Sequence, residues 1–79
     1  MNHTKLMADL IRLSGVNKDA CQSIMLKLVK GCDPKGNPKR SLRICDHIEH
    51  YAKELDVSVP SRVVELIEDI RIQCSIQSM

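Results

Sequence analysis

The segment Cys45-Asp46-His47-Ile48-Glu49-His50 gathers the residue types that bind metal ions. His47 and His50 are three apart, so on a helix they share a face and could hold one ion, with Cys32 or Cys45 as a thiolate ligand. No CxxC pair completes such a set, and His-Ile-Glu-His lacks the HExxH spacing of zinc proteases. The plainer reading is two solvated histidines on the polar face of a helix beside Asp46 and Glu49. No metal and no cofactor are expected. Gly31 and Gly36 are interrupted by prolines and open no strand–helix phosphate loop, and no Ser, His or Cys sits in a nucleophile motif. An all-helical chain of 79 residues also has little room for a substrate pocket. The chain is not expected to be an enzyme.

The second chemistry on offer is recognition of phosphates and base edges. On a helix beginning at Lys18, the residues Lys18, Asp19, Gln22 and Ser23 lie outside the apolar face, with Lys27 and Lys30 further along. Gln can pair with an adenine edge and Lys with a guanine edge, while Ser and Lys reach phosphates. Lys35, Lys39 and Arg40, with Arg12, would add backbone contacts and a salt-dependent attraction. Charge is distributed to match. Residues 1–45 carry an excess of +6 and residues 46–79 one of −4, together the net +2 of the chain. A polyanion would meet the first half and avoid the second. The competing reading is ordinary solvated charge on a small helical protein. Tyr51 is the sole aromatic residue, which disfavours single-stranded RNA, whose bases need stacking platforms.

These side chains must be positioned by helices. The composition, 43% hydrophobic and 28% charged, is that of a globular domain and not of a disordered chain. The apolar spacing predicts a first helix over about 4–13 and a second over about 18–29, with Gly15 as the turn residue and Asn17 as N-cap. Gly31 closes the second helix. Two prolines, Gly36 and Asn37 mark residues 31–40 as a basic loop. A third helix begins near Ser41, Asp56-Val57-Ser58-Val59 breaks it, and Pro60 suits the first turn of a fourth that reaches Cys74. Ile11–Asn17 and Ala52–Ser58 form a faint repeat, each a helix end followed by a Val and a capping residue. The expected fold is all-α: one compact four-helix domain over 1–79, made of two helical hairpins (4–30 and 41–74) joined by the 31–40 loop.

Residues 7–26 resemble the helix-turn-helix of bacterial regulators. Gly15, Val16, Cys21 and Ile24 fill the turn and apolar positions of that motif, although Ile11 stands where a small residue is usual. Met1-Asn2, Thr4-Lys5-Leu6, Gly15-Val16 and Lys18-Asp19-Ala20 also look like the opening helix pair of the bacterial histone-like HU proteins. Nothing after Gly31 resembles the β-arms with which HU embraces DNA. The helix-turn-helix resemblance implies a small DNA-binding regulator of bacterial or phage type, with the second helix in the major groove of double-stranded DNA.

The last helix is apolar over more than one stripe. Val63, Ile67, Ile70 and Cys74 make one face, and Val64, Leu66 and Ile72 fall outside it. A helix apolar over much of its circumference is buried on more than one side, so Val63, Ile67, Ile70 and Cys74 are expected to pair two copies as a homodimer, with deep burial inside the single chain as the competing reading. The same apolar surplus, with four methionines suited to adaptable surfaces, supports an alternative: a phage- or plasmid-type helical adaptor or inhibitor that docks on another protein without touching DNA. No apolar run is long enough to cross a membrane. The opening residues lack the apolar stretch of a secretory signal, so Cys21, Cys32, Cys45 and Cys74 are expected to be reduced thiols in a cytoplasmic protein.

Overall fold

A computed structural model describes residues 3–78, with side chains over 4–76. It is all-α, as expected. Its helices are α1 (His3–Leu13), α2 (Lys18–Lys30), α3 (Pro38–Glu54) and α4 (Ser61–Ser78). Among the described residues no helix is long and apolar enough to cross a membrane.

Local chemistry accounts for the helix ends. Asn17 lies in the extended region and its Oδ1 accepts the Ala20 N–H at 3.1 Å, which caps α2 as its position predicts. The third helix starts earlier than Ser41. Asn37 is its cap, accepting the Arg40 N–H at 3.2 Å, and Pro38 occupies the first turn, where a missing N–H removes no helical bond. The Asn-Pro pair is therefore a helix start, and Lys39 and Arg40 belong to α3 instead of a loop. The fourth helix likewise begins after Pro60, whose carbonyl accepts the Val64 N–H at 3.0 Å, and it continues past Cys74.

The two hairpin turns differ from each other in backbone conformation. Gly15 does not adopt a positive φ, and a Cβ built there would meet nothing within 4 Å. The left-handed residue is Asp56, at φ 56°. It follows the last residues of α3, where the Val57 N–H reaches the Ala52 carbonyl at 2.9 Å and the Asp56 N–H the Lys53 carbonyl at 3.4 Å. That is a Schellman close, a position usually given to glycine.

The core is aliphatic and sulfur-rich. Met7 and Leu10 of α1 meet Cys21, Ile24, Met25, Leu28 and Val29 of α2 in one cluster with residues of α3 and α4. Each fully buried Leu or Ile adds about 1.5–3 kcal/mol of transfer free energy. The second helix is the hub, packing against α1, α3 and α4. Ser41 is the buried polar residue of α3, and its hydroxyl donates to the Asn37 carbonyl at 2.9 Å.

One expectation about α4 is corrected by this packing. Val63, Ile67, Ile70 and Cys74, expected to pair two copies, are all buried within the single chain. They form the seam that seats α4 on α2 and α3. The exposed apolar residues of α4 are Val64, Ile72 and Ile76. The periodicity correctly marks a buried stripe, but what covers it is the rest of the same domain.

Candidate nucleic-acid interface

The connection from α2 to α3 concentrates positive charge. Lys27 and Lys30 stand in the last turn of α2, and Lys35 lies in the turn that follows. The Asp33 side chain accepts the Gly36 N–H at 2.9 Å and its carbonyl accepts the Asn37 N–H at 2.8 Å. This Asx turn draws the chain tight, and a Cβ on Gly36 would run into the Asp33 carboxylate. Lys39 and Arg40 follow in the first turn of α3. Cations there are opposed by the positive end of the helix dipole, so an anion at this end is doubly favoured.

Two open grooves flank Arg40. One, of about 320 Å³, is lined by Asn37, Lys39, Arg40, Arg43, Ile44 and His47. The other, of about 430 Å³, runs from Gly31 and Cys32 past Asp33 and Gly36 to Arg40 and Ser41. Lys27, Lys30, Lys39 and Arg43 are exposed and form no ion pair among the described residues. Arg43 and His47 were not among the expected contacts. Their signal was available: once α3 starts at Pro38, Lys39, Arg43 and His47 fall at successive four-residue steps on one face.

The expected site residues divide by location. Lys18 and Gln22 face the α3–α4 connection, where Lys18 Nζ donates to the Asp56 carbonyl at 3.2 Å and Gln22 Nε2 to the Ser58 carbonyl at 3.4 Å. Ser23, Lys27 and Lys30 share the exposed strip of α2 with Asp19. Lys35, Lys39 and Arg40 gather around the α2–α3 connection. Arg12 pairs with Asp9 at 3.4 Å across one turn of α1.

Negative charge lies along the α3–α4 seam. Arg71 of α4 bonds to Asp46 at 2.8 Å and chelates the Glu49 carboxylate of α3. These carboxylates hold the Arg71 guanidinium more firmly cationic than usual, Glu49 most of all. His47 and His50 are exposed and set their rings edge-on to Tyr51, at centroid distances of 6.4 and 5.2 Å. Among the described residues no three His, Cys, Asp or Glu side chains gather where they could hold a metal ion.

No protein-family model, curated protein or solved structure matches this chain.

Proposed function

We propose that this protein is a small DNA-binding regulator that grips duplex DNA through its basic α2–α3 end. The observation that carries this reading is the run of Lys27, Lys30, Lys35, Lys39, Arg40 and Arg43 around one connection, beside the capped start of α3. Phosphates are the natural ligands of such a surface, because each cation that meets one releases condensed counterions. The exposed strip of α2, with Ser23, Lys27 and Lys30, supplies the side chains that reach base edges or the adjoining backbone. Lys18 and Gln22 are assigned to the fold. The reading also implies a cytoplasmic protein, in the compartment that holds the DNA.

The outer face of α4, where Val64, Ile72 and Ile76 are exposed, is the surface through which two copies would pair as a homodimer. That face also supports the second reading, docking on a partner protein, since Ile72 is 58% and Ile76 63% exposed.

Titration against mixed-sequence duplex DNA at low and moderate salt tests the proposal. Expected is micromolar or tighter binding at low salt that weakens by about 0.9 log units per phosphate for each tenfold rise in salt. No binding at low salt would overturn it and turn attention to the outer face of α4.

A further inference from the structure

We propose that the outer face of α3 binds the unpaired nucleotides of single-stranded DNA, holding phosphates on Lys39 and Arg43 and stacking bases against His47 and Tyr51. The inference shares Lys39 and Arg43 with the proposed duplex grip and rests on that reading for nothing else.

Along α3, Lys39, Arg43, His47 and Tyr51 follow one another at four-residue steps. Each step rises about 6 Å and turns about 40° around the helix axis, so the row climbs roughly 18 Å as a slow spiral. Its first half lies in the groove of about 320 Å³ beside Arg40 and Ile44. Its second half lies in a groove of about 200 Å³ that Thr4 and Met7 of α1 complete. His47 lines both grooves, so they join into one path. The packing of α1 against α2 leaves the second groove open between α1 and α3.

Charge complementarity names the occupant. Among the described residues Lys39 and Arg43 form no ion pair, and no carboxylate lines either groove. The neighbouring acids of α3, Asp46 and Glu49, are bonded by Arg71 of α4. One end of the path is therefore positive and suits successive phosphates. The other end suits flat rings. Tyr51 has no other aromatic near it in the sequence, yet the rings of His47 and His50 stand edge-on to it, with centroids at 6.4 and 5.2 Å. Edge-on rings keep faces on which a further ring can stack, and Met7 adds a polarizable side chain to the same groove. Bases stack on such platforms whatever their identity, with the backbone on neighbouring cations, which is how single strands are held without sequence preference. A duplex keeps its bases inside and has none to offer Tyr51. At about 3.4 Å or more per nucleotide, the path holds at most about five.

The chain has one tyrosine and no tryptophan, so its ultraviolet fluorescence reports on Tyr51. The full chain is titrated at low salt with a short oligothymidylate, with a duplex of the same length and with thymidine monophosphate, free tyrosine correcting for absorbed light. Expected is quenching of most of the emission by the oligothymidylate and of little by the duplex. Thymidine monophosphate, which meets the cations with a single phosphate, should quench only at far higher concentration. His47→Ala, at an exposed position, should weaken the strand about fivefold, and Tyr51→Leu, which keeps the groove apolar, about tenfold. Duplex affinity should change less than about twofold in either variant, because its phosphates meet Lys39 and Arg43. The proposal is overturned if the strand leaves the emission unquenched, if the mononucleotide binds as tightly as the strand, or if both variants bind the strand as the unaltered chain does. Quenching by the strand without any duplex binding would uphold this site and overturn the duplex grip alone.

Discussion

The two ends of the helical bundle use similar side chains differently. At the turn end, the α1–α2 turn and the α3–α4 connection lie together, and Lys18 and Gln22 reach backbone carbonyls at Asp56 and Ser58. Those carbonyls follow a closed helix end, so the two polar side chains help hold one hairpin on the other. At the opposite end, Lys27, Lys30, Lys39 and Arg43 meet no carboxylate among the described residues. Along α2, Lys18 and Lys30 stand roughly 18 Å apart at 1.5 Å per residue. That exceeds the Debye length of about 10 Å at 0.1 M salt, so the two ends act as separate electrostatic surfaces. A cation with a carbonyl partner belongs to the fold, while one facing open solvent is available to a ligand.

The most forceful way to test this division is to disturb the seam that supports both ends. Ile67→Asp should place an unpaired charge in the core and abolish cooperative unfolding, a loss of 4 kcal/mol or more on the order of the whole stability. Ile72→Asp, five residues on but exposed, should change stability by less than about 0.5 kcal/mol. Circular dichroism of the two variants checks the pair. A folded Ile67→Asp monomer would mean that α4 is not seated as described.

Next in size is the contrast between the ends in binding. Lys39→Glu combined with Arg43→Glu should weaken duplex binding at low salt by about a hundredfold and flatten its salt dependence by about two units. Lys18→Glu should alter affinity by less than about threefold. If Lys18→Glu proved the more damaging in a fluorescence-anisotropy titration, the reading surface would lie at the other end of α2.

Smaller effects sharpen the turn end. Gln22→Ala should lower stability by about 0.5–1.5 kcal/mol, the net worth of one hydrogen bond, without loss of DNA affinity. Asp56→Gly should raise stability by up to about 1 kcal/mol, because glycine accepts the left-handed conformation freely. Gly15→Ala should also be neutral or mildly stabilising, by about 0.4–1 kcal/mol, since it meets no neighbour and keeps an ordinary φ. Chemical denaturation of the three variants measures all of these. A strongly destabilised Gly15→Ala would contradict the turn geometry.

The repeat between Ile11–Asn17 and Ala52–Ser58 shows how far pattern alone reaches. Both segments do end a helix and turn the chain, yet Val16 is 81% exposed and Val57 only 4%. Their equivalence in spacing says nothing of what packs over them. Asn37-Pro38 shows the reverse case: a helix start was present in the residues and was hidden by the usual association of proline with loops.

Helical periodicity, the Asn17 cap and the Val63–Ile67–Ile70–Cys74 stripe of α4 were legible along the chain, because these depend on neighbours within a turn or two. Which charges meet carbonyls and which apolar stripe is covered by its own domain depends on residues far apart in sequence. Gln22 meets Ser58, Lys18 meets Asp56 and Arg71 meets Glu49 only when the hairpins dock. Spacing along one helix fixes the direction of a side chain but not the partner that docking brings to it.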